Sequence, residues 1–327
     1  MYKRQVSGAS RKSISSDLAN QIFDQLKSFG GYSFSKAHAA AFAVITYWSA
    51  WLRYHHPTEF FIGVLRNQPM GFYPEHVVIS DARRIGIRFL PVDLRYSKTR
   101  STLQSGKIRL GLKTIRGLGT EHINLLLQQR KLAPFQSLPD LIQRMKFTRP
   151  LMESIILSGA LDYLHPRKHR RQILWELTDA YQTKPGLKDL ELTIPGEQAE
   201  LQPMTSEEEF TSQLHATRVS IDHHPTYLYR NVLSHHKTTL ASQLHSMNNG
   251  QKVKVGGIVV TRQSPPTANG IRFLALEDKS GLINVIIHAN TYNSYRIEYH
   301  SNFVIVEGNL QIKHGALNLI ATHIISL

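Results

Sequence analysis

The sequence predicts a multidomain α+β protein, helical through about residue 250 and all-β beyond it. Three observations carry this. Apolar residues recur at helical spacing through the first part of the chain. The last 77 residues alternate in strand fashion between turn signals. The charge is also one-sided: residues 1–172 hold 27 Lys/Arg against 10 Asp/Glu, a balance of +17, whereas residues 173–327 hold 12 against 14.

The 327 residues suffice for two or three ordinary domains. There is no cysteine, which excludes disulfides and thiolate zinc sites and fits a reducing cytoplasm. Met1 to Lys12 carries charge with no apolar stretch behind it, so no signal peptide is expected; Met1 to Gln5 join poorly to the residues after them. The longest apolar run, Ala37 to Leu52, is shorter than the roughly 20 residues of a membrane span and contains His38, Thr46 and Ser49. A buried helix is expected there, and no membrane partner.

Residues 13–30 place Ile14, Leu18, Ile22, Phe23 and Leu26 on one helical stripe, ended by Gly30 and Gly31. Further helices are expected over 36–54, 59–67 and 75–86, with an extended segment at 87–100 and short helices from 108 to 164. Residues 173–250, with 5 basic and 10 acidic residues, read as a partly helical connector, least regular at 183–207. Five strands come next, at 252–261, 271–277, 282–287, 303–311 and 316–325, with a short helix near 289–295 between the third and fourth. This is the outline of an OB-fold, a small barrel that commonly binds oligonucleotides.

The sharpest local motif runs from Gly111 to Thr120 and leads into a helix over 121–130. Gly117 and Gly119 flank one apolar residue, Leu118, as in the hairpin of a helix-hairpin-helix element. Glycine lets a backbone turn tightly, and a helix N-terminus offers unpaired N–H groups to a phosphate. Lys107, Arg109, Lys113 and Arg116 belong to a run of seven basic residues from Arg95 to Gly119 with no acid among them. Together with Gly117, Gly119 and Thr120 they form the candidate DNA contact, one that reads phosphates and not bases. Leu157 to Leu161 reads equally as a second, degenerate hairpin or a plain helix C-cap. In the barrel, Arg262, Arg272 and Phe273 are candidates for backbone and stacking contacts, Phe273 fitting a core position as well.

Other chemistries fail on their spacing. Ser33-Phe34-Ser35-Lys36 has none of the companions of a Ser-x-x-Lys enzyme. The 17 histidines show no His-Glu-x-x-His, and no phosphate-binding Gly-x-x-x-x-Gly-Lys-Ser/Thr occurs. Nucleotidyl transfer needs clustered carboxylates around two metal ions, yet no Asp-x-Asp occurs and Asp189-Leu190-Glu191 lies in the connector. No catalytic residue, metal site or cofactor is assigned.

Gly30 to Ala43, which contains Tyr32-Ser33-Phe34-Ser35-Lys36-Ala37-His38-Ala39-Ala40-Ala41, resembles the fingers signature of bacterial C-family DNA polymerases, the DNA polymerase III alpha subunits, with Ser35 where Asn is typical. His55-His56-Pro57-Thr58-Glu59-Phe60-Phe61 is similar to the next segment of that family's fingers. Asn67 to Pro74, Asp81-Ala82-Arg83-Arg84 and Leu90-Pro91-Val92-Asp93 resemble the error-prone, DnaE-type branch, although the fingers motif has a replicative character. The resemblance implies four parts. Residues 6–100 correspond to the C-terminal part of the polymerase fingers and 101–172 to a tandem helix-hairpin-helix domain. Residues 173–250 form a partly helical linker and 251–327 an OB-fold domain. It also implies that Lys36, His38, Arg83 and Arg84 lie near the incoming nucleotide or template, or serve as ordinary surface charges. The catalytic palm, with its Mg2+ ions, has no counterpart in this sequence. The implied work is to hold primer-template duplex and single-stranded template during replication or translesion repair, with a sliding clamp or replisome proteins as further partners. The alternatives are a stand-alone DNA-binding or replisome adaptor, or an RNA-binding module.

Overall fold

A computed structural model describes residues 7–32, 36–71, 73–182 and 201–327. Ser33 to Ser35 of the fingers-like motif, Phe72, and most of the segment expected to be irregular, with Asp189 to Glu191, lie outside the described residues. The chain divides into two compact units, residues 1–55 and 56–327.

The first unit contains α1 (Ser16–Tyr32) and α2 (Lys36–His55). α1 begins three residues later than its apolar stripe suggests, because the Ser15 hydroxyl accepts from the Leu18 amide and caps the helix there. The expectation of a buried helix over 36–54 is corrected. α2 forms, but none of its described residues is buried, and Tyr47 and Trp48 are 68% and 61% exposed. An apolar run is buried only when a second layer covers it, and Leu18, Ile22 and Leu26 of α1 are themselves exposed.

In the second unit, Pro57 opens α3 (Pro57–Arg66), a position where its missing N–H costs nothing. α4 (Glu75–Arg84) packs against it, and Phe61, Ile62, Val78 and Ala82 close a small core with Ile87 and Ile108. The segment expected to be extended contributes β1 (Phe89–Leu90) to a three-stranded sheet. β3 (Lys107–Arg109) runs in its centre, parallel to β1 and antiparallel to β2 (Thr102–Gln104). Strands of two or three residues are too short to show an alternating pattern, so periodicity does not reveal this sheet. The turn at Ser105-Gly106, with φ of 48° and 72°, joins β2 to β3 as a left-handed hairpin.

The main helical core comes after this sheet. Residues from α5 (Thr120–Leu132), α6 (Leu138–Met145), α7 (Arg149–Leu157) and α8 (Arg170–Gln182) bury Leu126, Leu141, Met152, Ile155 and Leu177 completely. α9 (Ser206–Thr217) starts on a capping box: the Thr205 hydroxyl accepts from the Glu208 amide, and the Glu208 carboxylate accepts from Thr205 N–H. Short helices α10 (Arg230–His235) and α11 (Ala241–Leu244) lead into the barrel.

The terminal domain is a closed barrel of β4 (Lys252–Gln263), β5 (Arg272–Asp278), β6 (Gly281–Ile287), β7 (Phe303–Lys313) and β8 (Ala316–Ser326), in the order β4-β5-β6-β8-β7. All neighbours are antiparallel except β6 and β8, and β7 pairs back onto β4 to close the sheet. α12 (Ala289–Ser294) sits between the third and fourth strands, as the sequence predicts. The five strands, the single parallel pair and the helix position are those of an OB-fold.

One ion pair joins the barrel to the helices. Leu274 and Leu276 point into the barrel core, so the period of two turns Glu277 outward. Glu277 is nevertheless fully buried, because α4 and the connector cover it. Arg84 Nη1 donates to Glu277 Oε1 at 2.9 Å, and His224 Nε2 lies 3.5 Å from Oε2. Arg83 donates to the Asp222 carbonyl at 2.9 Å, so adjacent residues of α4 hold both barrel and connector. His76, on the same helix, is held below its ordinary value of 6.5, first by burial and then by His224, with Glu277 opposing.

Removing one partner of a buried pair leaves an uncompensated charge, so Arg84→Met should destabilise the second unit by about 3–5 kcal/mol in urea titration, with Glu277→Gln milder. His76 takes its proton in the unfolded chain before the folded one. Stability should therefore be fully present above pH 6.5 and fall as the pH drops below it. His76→Gln should flatten that part of the curve, which thermal melts between pH 5 and 8 would show.

Candidate nucleic-acid interface

The hairpin before α5 is set by short-range hydrogen bonds and by burial. Residues 112–114 form one 3-10 turn, with Thr114 N–H donating to Gly111 O and Ile115 N–H to Leu112 O. Leu118 N–H then returns to Ile115 O, and Ile115 and Leu118 are both buried in the helical core. Gly117 between them has φ of +81°, the left-handed region, with one ordinary contact (Leu151) at the site of a Cβ. Gly119 differs: its φ of −70° suits any residue, and an added Cβ would meet open space. Its place is the N-cap of α5, where it supplies no capping side chain. The first amides of α5 thus lack a side-chain cap, and Glu121 is the acidic residue of the first turn.

Gly111 fixes the other end of the hairpin. A Cβ there would lie 2.4 Å from the carbonyl carbon of Arg100, and the amides of Leu112 and Lys113 donate to the carbonyls of Lys98 and Thr99. The Arg116 amide donates to Ala216 O at 2.7 Å, and its guanidinium lies 3.2 Å from His215 Nε2, so α9 holds the hairpin from behind.

The basic run separates into two groups. Lys113, Arg116 and Thr120 are exposed at the hairpin, as are Lys98 and Arg100 behind it. Arg109 is only 7% exposed and donates to Gln104 Oε1 and the Pro91 carbonyl, which ties β3 to its neighbours. Arg95 pairs with Asp93 at 2.8 Å and lies over the Tyr163 ring. Lys107 is half-buried at the start of β3.

A cavity of about 750 Å³ opens beside the hairpin. Arg66, Arg100, Lys113, Arg116 and Arg218 face it, with Glu75 the sole acid among the described residues that line it. Burial pushes the Glu75 carboxyl above its usual range, against the pull of Arg218 and Lys113. Arg218 comes from the acidic connector, where no sequence signal marks it; Arg66 and Arg100 are conspicuous only for their charge.

The remaining candidates lie elsewhere. Arg262 donates to the carbonyls of Tyr299 and Ser301, and Arg272 stacks 3.7 Å from the Tyr292 ring centroid while donating to Ser264. Phe273 is half-buried and paired in register with Gln263 and Ile286. Lys36 and His38 occupy the first turn of α2 in the first unit, His38 against Phe42. Arg83 and Arg84 bond to Asp222 and Glu277, within the protein itself. Among the described residues no group of three or more His, Cys, Asp or Glu is placed to hold a metal ion. No helix among them is long and apolar enough to cross a membrane.

The backbone geometry separates the glycines. Gly117→Val should cost about 1–3 kcal/mol of stability through left-handed strain, and Gly111→Ala a similar amount through overpacking on Arg100. Gly119→Ala should stay within about 0.5 kcal/mol, as an unstrained surface change does. Denaturant midpoints for the three variants check this.

The comparisons agree with this geometry. Residues 86–173 match the helix-hairpin-helix motif family. The chain is 34% identical over 313 residues to an error-prone DNA polymerase of Corynebacterium glutamicum, covering 94% of this chain and 29% of that protein. The corresponding values for the error-prone DNA polymerase of Teredinibacter turnerae are 35% over 303 residues, 90% and 29%. For that of Corynebacterium diphtheriae they are 32% over 329 residues, 99% and 30%. The chain thus spans under a third of the length of these relatives, and the error-prone branch is the one its motifs resemble. A helix-hairpin-helix region followed by a closed five-stranded barrel, similar to these proteins over nearly its whole length, makes the chain a homologue of one segment of the bacterial error-prone DNA polymerases.

Proposed function

We propose that this chain grips primer-template DNA by its phosphate backbone, as the DNA-holding portion of an error-prone polymerase. The observation that carries the reading is the hairpin: Gly117 in the left-handed region, an α5 N-terminus without a side-chain cap, and exposed Lys113 and Arg116 beside it. Exposed amides and a positive helix end bind phosphate oxygens without regard to sequence. A polymerase working on damaged template needs that indifference, because the bases it meets are irregular.

The barrel's share of the work is single-stranded template, which OB-folds hold by stacking and backbone contacts. Phosphoryl transfer needs carboxylate-held Mg2+. On this reading that chemistry belongs to a palm elsewhere in the polymerase, and this chain's contribution is binding and alignment.

Fluorescence anisotropy on a primer-template duplex tests the reading. Log K should fall linearly with log salt, by about 0.9 for each phosphate neutralised. Arg116→Glu and Lys113→Glu should each weaken binding and reduce that slope by about 1. Binding that ignores salt, or both variants, would refute the hairpin grip.

A further inference from the structure

The seam between the barrel and the helices leaves buried groups unpaired. Three of the six buried side-chain polar atoms that lack a hydrogen-bond partner among the described residues gather there: Glu277 Oε2, His224 Nε2 and His76 Nε2. Glu277 Oε2 and His224 Nε2 stand 3.5 Å apart, and His76 is close enough to feel the charge of both. Unpaired buried polar atoms are costly, and hydration on parting the two faces would recover that cost.

The local geometry also sets where protons can go. The Thr226 amide donates to His224 Nδ1 at 3.2 Å, so Nδ1 is bare and Nε2 carries the ring proton toward Glu277. A second proton can enter His224 only at Nδ1, against that amide. Burial holds the His76 ring below 6.5, with Glu277 opposing and His224 adding to the effect. Arg84 already neutralises Glu277 at 2.9 Å, so a proton on either imidazole would leave net positive charge out of water. The surrounding charges are engaged elsewhere. Asp81 pairs with Arg84 at 3.5 Å, Arg83 bonds the Asp222 carbonyl, and Asp278 accepts from the Ala241, Ser280 and Gly281 amides. His223 stacks on Tyr227, and Glu75 feels Arg218 and Lys113.

The helical core and the barrel core share no residue. Tyr229 stacks on Phe303 at 4.0 Å and Ala241 belongs to the barrel core, so the end of the connector is tied to the barrel.

We infer that this seam is a proton-operated latch: uncharged His76 and His224 keep the barrel docked on α4, and a proton on either releases it with both cores intact. The docked state binds fewer protons than the released one, so acid favours release. The latch is independent of the hairpin's contact with DNA.

The test exploits the absence of cysteine from the chain. Gln128→Cys on α5 and Lys313→Cys on β7, both exposed, carry spin labels on the full chain, and double electron–electron resonance reads the distance between them. One distance is expected at about pH 8. A longer population should grow as the pH falls below 6.5, with the circular-dichroism spectrum unchanged. Glutamine offers an uncharged donor and acceptor but cannot take a proton. His76→Gln and His224→Gln should therefore each lower the midpoint pH, and the double variant should lose the longer population. A distance that ignores pH overturns the inference, as does a midpoint that none of the three variants moves. Loss of the circular-dichroism signal together with the longer distance also overturns it, because acid would then be unfolding the chain and not releasing a domain.

Discussion

The five residues from Ile115 to Gly119 carry a constraint on which much of the helical region depends. Ile115 and Leu118 must both reach the same core, and the chain has only two residues between them in which to reverse. A left-handed Gly117 solves that geometry, and the Arg116 amide is then fixed to Ala216 on α9. The side chains left over, Lys113 and Arg116, have nowhere to go but outward. Packing and the aim of the basic side chains are thus two faces of one turn: the apolar residues anchor it, and the anchoring turns the charges outward.

The distribution of charge obeys the same logic at larger scale. A run of seven cations with no acid reads as one electrostatic footprint, but folding divides it. Arg109 is drawn into the small sheet because its guanidinium satisfies Gln104 and the Pro91 carbonyl, and Arg95 closes on Asp93. The cations that reach the surface at the hairpin are joined by Arg66 and Arg218, from segments distant in sequence. The functional field is a property of the assembled elements.

The barrel is attached through charge as well as through contact area. Glu277 would face water on an isolated OB-fold; here it is fully buried against Arg84 and His224. Such a pair is stable only with both members present, so it fixes which barrel face meets the helices. The resemblance links Arg83 and Arg84 to nucleotide or template, whereas in the second unit they bond to Asp222 and Glu277, holding parts of the protein to each other.

Local order was legible in the sequence wherever one element carries its own signal. The strand alternation of 252–325, its turns, and the helix after the third strand give the barrel directly, and Gly117-Leu118-Gly119 ahead of a helical stripe gives the hairpin. The three-stranded sheet was not legible, because two- and three-residue strands have no period to read. Nor was the exposure of α2, since its apolar run says what the helix can bury and not what is present to cover it. Gly119 shows the same limit on a single residue: the motif pairs it with Gly117, but only Gly117 needs a left-handed backbone. By itself the sequence determined the element types, the basic half and the family it resembles, because these arise from local pattern. Tertiary structure alone decided which arginines face the cavity, that Glu75 sits among them, and that Glu277 is buried against Arg84. Those are distances between residues far apart in the chain, and no local periodicity encodes them.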